Sequence, residues 1–161
     1  MFRKLMLTAA VTMLVLPGMA SAQSTVTATA TVSPAATVGG TGDLAFGTLS
    51  AGTDNVIDAT SGATTRTLDY NHNVTISFTN VPAALVSGTS TPLPVALTCA
   101  SSLAGTWSAV QPCSTASFDL DVGAALTQAI LGFGGTIAAA DVATAAAGDY
   151  AATFDITITA R

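Results

Sequence analysis

The chain has 161 residues, of which 50% are apolar and only 8% charged, with a formal net charge of −5. Typical soluble domains carry about 25% charged residues, so Thr, Ser, Ala and Gly must form most of this surface, as in extracellular coats and polymers. Four Lys and Arg in all, two of them at positions 3 and 4, leave no footprint for phosphate backbones and no basic stripe for anionic lipid, which argues against nucleic acid and against an anionic membrane surface as partners.

Residues 1–22 read as a secretory signal peptide. Arg3 and Lys4 give a short positive start, Leu5 to Leu16 is apolar, Pro17-Gly18 breaks the run, and Ala20-Ser21-Ala22 supplies a small-x-small cleavage pattern. A run of about twelve apolar residues is too short to span a bilayer. Cleavage would start the mature chain at Gln23 and leave Arg66 and Arg161 against nine aspartates, a formal charge of −7. No membrane insertion is expected after that cut. A mature chain of this length suits one domain with a sizeable core.

Residues 23–33 form an N-terminal extension. Within Thr25 to Val32, Val26, Ala28, Ala30 and Val32 fall on one face and four threonines on the other. Such alternation is the period of a strand. Pro34 ends it, because proline cannot donate to a ladder. Residues 34–161 are the expected globular domain.

Short strands follow in order. Asp43 to Leu49 should place Leu44 and Phe46 inward, with Gly47 at a bulge or a close backbone approach. Val56-Ile57 and Thr65 to Tyr70 suggest short edge strands, and Asn71-His72-Asn73 a turn. Val74, Ile76 and Phe78 alternate cleanly, as do Phe118, Leu120 and Val122; Val95 to Cys99 and the glycine-rich Leu131 to Ala138 add two more strands. Asp141 to Ala147 suggests a helical turn. In the tail, Tyr150, Ala152, Phe154, Ile156, Ile158 and Ala160 occupy alternate positions after Gly148. Seven to nine short strands with almost no helix argue for an all-β fold, an immunoglobulin-like antiparallel β-sandwich, with a barrel as the other architecture.

Cys99 and Cys113 are the two cysteines. In an exported chain such a pair reads as one disulfide, with free thiols as the alternative. Its loop of about 15 residues is worth on the order of 3 kcal/mol in the chain-entropy model. A metal site needs more ligands. A single histidine, His72, gives thin support for nucleophilic catalysis, and Asp54, Asn55 and Asp58 lack the spacing of a calcium loop. Asp119 and Asp121 alternate with apolar residues and should face solvent. No catalytic residue, cofactor or metal site is expected, and the chain is not read as an enzyme.

Three stretches resemble the subunits of archaic chaperone–usher pili and the spore coat protein U family: Val26 to Gly40, the Leu44-Ala45-Phe46-Gly47-Thr48-Leu49 run, and Ala147-Gly148-Asp149-Tyr150 with the alternating tail. The cysteine that many members carry near Ala36 is missing here. The resemblance implies a pilin-like sandwich that lacks one strand. A neighbouring subunit's extension would fill the gap by strand addition. Val26, Ala28, Ala30 and Val32 would be the donor residues, and Gly148, Tyr150, Phe154, Ile156 and Ile158 would line the acceptor groove. It further implies a head-to-tail homopolymer, assembled by a periplasmic chaperone and an outer-membrane usher into a surface fimbria that supports adhesion or biofilm formation. Two other readings stay open. Residues 25–32 can be the domain's own first strand, and the chain can be a monomeric secreted or surface-coat β-sandwich with a binding or structural role.

Overall fold

The computed structural model describes residues 30, 33–40, 43–88, 90–123 and 127–161. The expected signal peptide and the expected donor positions Val26, Ala28 and Val32 lie outside the described residues, while Ala30 is exposed and outside any strand. In chain order the elements are β1 (Ala36–Gly39), β2 (Asn55–Ile57), β3 (Thr65–Tyr70), β4 (Val74–Thr79), β5 (Ala84–Leu85), β6 (Leu93–Pro94), β7 (Ala96–Leu103), β8 (Thr106–Trp107), β9 (Gln111–Pro112), β10 (Ser117–Leu120), β11 (Thr127–Ile137), α1 (Ala139–Thr144) and β12 (Asp155–Ala160). The fold is all-β, and every strand pair among the described residues is antiparallel.

The larger sheet runs β1-β3-β11-β7-β8, with β2 also on β11 and β9 also on β7; the second runs β10-β4-β12; β5 and β6 form a small ribbon. Among the described residues the sheets stay separate and close no barrel. Leu68 and Tyr70 of β3, Cys99 of β7, and Ala129, Leu131 and Phe133 of β11 meet Val74, Ile76 and Phe78 of β4 and Phe118 and Leu120 of β10 in one buried cluster. The period-two alternation of β4 and β10 produces this directly: every second side chain faces the other layer. Phe78 and Phe133 join the layers edge to face, with ring centroids 5.8 Å apart.

β11 begins at Thr127, four residues before the expected Leu131, because it pairs there with β3 from Tyr70 to Thr67, and its glycines answer to packing. Ile57 to Ala59 passes over the outer face of the strand. A Cβ on Gly132 would collide with the Ala59 carbonyl and lie 2.8 Å from the Trp107 ring. On the inner face, a Cβ on Gly135 would lie 3.2 Å from Phe46 Cζ, so that glycine makes room for the Phe46 ring.

Several expectations need correction. Asp43 to Leu49 makes no strand, although Leu44 and Phe46 are half-buried against the core. Gly47 has φ +68° with open space around its Cβ direction, so it serves a turn rather than a close approach. β3 lies between β1 and β11 and is not an edge strand. The tail is a strand only from Asp155, because its partner β4 runs out at Thr79 and Asn80 turns away with φ +56°. Ala152 is accordingly exposed.

Cys99 and Cys113 form a disulfide with Cα atoms 5.1 Å apart, fully buried at both ends. It staples β9 to β7 beside the β7–β8 hairpin, whose two-residue turn Ala104-Gly105 has φ +49° and +83°. That edge of the larger sheet is the one remote from β1.

Candidate functional site: an open cleft between two edge strands

Strands β1 and β12 are the edges of their two sheets, and each is paired on one side among the described residues. Cross-strand partners share a face, which allows burial to be compared row by row. Ile158 lies opposite Ile76 and Ile156 opposite Phe78. Ile76 and Phe78 are 0% and 7% exposed, whereas both isoleucines of β12 are only half-buried. Val38 lies opposite Leu68 on β1; Leu68 is fully buried and Val38 is 41% exposed. The inward faces of the two edge strands are thus less covered than those of their neighbours.

Two pockets open between the chain segments 34–49 and 145–160. One of about 210 Å³ has Pro34 and Ala36 on one wall, Ile158 and Ala160 on the other, and His72 and Val74 between. The second, about 670 Å³, lies where Phe46 and Leu49 approach Gly148 and Tyr150, with Leu93 and Ile137 among its lining residues. The segments run in opposite directions, so position 36 matches the end of β12 and position 46 matches Tyr150.

Of the residues expected to line a groove, Gly148 and Tyr150 line the larger pocket and Ile158 the smaller. Tyr150 is half-buried and its hydroxyl donates to the Ala146 carbonyl at 3.0 Å. Phe154 and Ile156 fall between the pockets; Phe154 packs edge to face on Phe78 and Phe133, at centroid distances of 6.2 and 5.6 Å. The disulfide lies apart from the cleft, on the opposite edge of the larger sheet. Leu49 of the Leu44–Leu49 run also belongs to the larger pocket, as do Leu85, Leu93 and Val142, which no motif marks. Apolar residues within Gly-, Ala- and Pro-rich stretches were their one signal.

The Asn71-His72-Asn73 turn sits at the smaller pocket. The Ala35 amide donates to Asn71 Oδ1 at 2.7 Å, the Asn71 amide donates to the Ala35 carbonyl at 3.2 Å, and Asn71 Nδ2 donates to the Ser33 carbonyl at 3.3 Å. Asn73 Oδ1 accepts from the Val122 amide at 2.9 Å, and its carbonyl accepts from the Arg161 amide at 2.8 Å. Arg161 then reaches across β4 to Asp121 at 2.6 Å, and Thr75 donates to Asp119 at 2.6 Å. Asp119 and Asp121 are exposed as expected, and such surface pairs contribute about 0–1 kcal/mol.

The remaining polar candidates have local structural roles. Asp54 Oδ1 accepts from the Ala139 amide at the start of α1, and Asn55 ties Ser50 to Thr53. Asp58 accepts from the amide and hydroxyl of Thr60, which hold its carboxyl below the usual range, the amide contributing most. Burial, aided by the Asp121 charge, pushes the Tyr70 phenol up. Among the described residues no three His, Cys, Asp or Glu side chains gather as metal ligands, and no helix is long and apolar enough to cross a membrane. In comparison with known proteins, the chain matches no family model, no curated protein and no solved structure.

Proposed function

We propose that this chain is the structural subunit of an extracellular filament, a pilin-like immunoglobulin-type sandwich whose cleft between β1 and β12 receives the N-terminal extension, residues 23–33, of a second copy. The observation that carries this reading is the row-by-row loss of burial: Leu68, Ile76 and Phe78 are buried, while Val38, Ile158 and Ile156 beside them are partly open. One added strand would cover all three and pair both free edges. Val26, Ala28, Ala30 and Val32 are the apolar stripe that would enter, and a slip of one residue would present threonines instead.

Filling by a second copy is favoured over self-filling by the entry to β1. A tight reversal at Ser33-Pro34-Ala35 would need the Ala35 amide for its closing bond. Pro34 has no amide, and that of Ala35 is already given to Asn71. A contact that passes from each copy to the next and does not close generates a filament. The role is structural rather than catalytic. It goes with signal cleavage, passage through the periplasm with a chaperone and outer-membrane usher, and display as a fimbria serving adhesion or biofilm formation.

The test compares the mature chain, residues 23–161, with its Val26→Asp, Ala30→Asp double variant. Negative-stain electron microscopy and unboiled SDS gels should show filaments and ladders from the first and a folded monomer from the second. Normal filaments from the variant would refute strand exchange. A mature chain that stays a folded monomer would refute the filament.

A further inference from the structure

We propose that the Asn71-His72-Asn73 turn is the end stop and spacer of the cleft, fixing the register at which an incoming strand seats; the inference rests on the strand-exchange reading above. The need for such a device follows from the donor sequence. A slip of one residue turns every side chain to the other face, but a slip of two keeps the same face inward. Val26, Ala28, Ala30 and Val32 are all apolar, so a slip of two keeps an apolar face inward and is opposed only by the size difference between valine and alanine, with no polar mismatch along the stripe. Backbone bonds repeat along the strand and do not separate them at all.

The turn supplies what the stripe lacks. Asn71 holds the entry to β1 through Ser33 and Ala35, and Asn73 holds the exit of β12 through the Arg161 amide. The two cleft walls are therefore tied to residues two apart in one turn, with His72 between them at the pocket that Pro34, Ala36, Ile158 and Ala160 flank. Asn73 also fixes the turn to the end of β10 through Val122. The width of the cleft at this end, and the point at which a strand can advance no further, are set by the Asn71 side chain on the β1 wall and the Asn73 carbonyl on the β12 wall, with the Asn73 side chain holding the turn in place through Val122. Asn71 and Asn73 are positioning residues in this role. Neither needs to touch the occupant.

The experiment uses the mature chain. Ala160→Cys is combined in turn with a cysteine at Val26, Ala28, Ala30 or Val32, and intermolecular disulfides are followed on non-reducing gels with the native bridge left intact. With the turn unaltered, one of the four positions should cross-link faster than its neighbours two residues away by about tenfold, the ratio that about 1.4 kcal/mol sustains. Asn71→Ala and Asn73→Ala, each read separately so that one remains informative if the other fails to fold, should bring that ratio close to unity. Asn73→Asp keeps the acceptor for Val122 and should retain the single preferred partner. A merely destabilised turn would lower yield without redistributing partners. The same preference in both Ala variants would overturn the end stop and leave the filament reading standing. Absence of any intermolecular cross-link with the turn unaltered would overturn both.

Discussion

Ile76 and Ile158 are the same residue type in the same cross-strand row, one enclosed and one at the open edge. Truncating each to alanine therefore measures the cleft. Ile76 is 0% exposed, and removing such a side chain costs about 2–5 kcal/mol including the cavity it leaves. Ile158 is partly buried, so it already holds the larger part of the 1.5–3 kcal/mol that full burial contributes, about 1–2 kcal/mol in the isolated subunit. The remainder, about 0.5 kcal/mol, should appear when a strand covers it, a factor of about two in subunit dissociation. Urea unfolding in the Val26→Asp, Ala30→Asp background gives the subunit term, and the denaturant dependence of filament disassembly gives the assembly term. Ile76→Ala should weaken the subunit far more than Ile158→Ala, whereas Ile158→Ala should act on both. An Ile158→Ala subunit as damaged as Ile76→Ala, with filaments unchanged, would refute the argument that this row is completed in trans.

Gly132→Ala should lower stability by about 1–3 kcal/mol in thermal or urea melts, because its methyl meets the Ala59 carbonyl and the Trp107 ring; Gly52→Ala, with 3.6 Å to the nearest atom, is the control that should change little. Ala104→Asn should stabilise by about 0.5–1 kcal/mol, since Ala104 at φ +49° precedes Gly105 at +83° in a two-residue hairpin turn suited to Asn-Gly. Tyr70 should make the fold sensitive to alkali: its folded-state pKa is raised, so its contribution is full below the unfolded value near 10 and is lost as pH rises toward the folded one. Urea midpoints of the wild type should fall in that range more than those of Tyr70→Phe.

What the sequence made legible is what depends on one strand at a time. Val74-Ile76-Phe78 and Phe118-Leu120 alternate, and they lie in the core as alternation requires. The Asn71–Asn73 turn and the paired cysteines are also local signals. Three features depend on a partner and could not be read this way. The stripe from Tyr150 to Ala160 keeps its period throughout, yet only its second half is a strand, because β4 ends opposite Asp155. Leu44 and Phe46 show a strand-like spacing but cover the core without a ladder. Gly132, Gly134 and Gly135 look like weak points in β11 and are there because backbone or an aromatic ring lies against them. The cleft is hidden for the same reason. It belongs to two edges separated by more than a hundred residues of chain.

The distribution of open and closed edges gives the proposed assembly its direction. An unpaired strand edge is a template for pairing, and proteins blunt the edges they do not use. Here the β7 edge of the larger sheet is covered by β8 and by β9, and β9 is held by the Cys99–Cys113 bridge. On the second sheet, β10 carries an outward charge within the strand, Asp119, which is tied to Thr75 and lies near Arg161; a charge in mid-strand makes a poor template. The opposite pair of edges, β1 and β12, carries no lysine and no proline within its strands, and has partly open Val38, Ile156 and Ile158 on the inward side. The proposed cleft between β1 and β12 accepts one strand in each copy. Having one extension, each copy can donate one. That arithmetic permits a linear chain and disfavours sheets or disordered aggregates. Freeing the β7 edge should therefore broaden the products: Cys99→Ala, Cys113→Ala double variants should form amorphous aggregates beside filaments, as judged by light scattering and microscopy. Filaments of unchanged purity from a folded double variant would show that the staple serves stability alone.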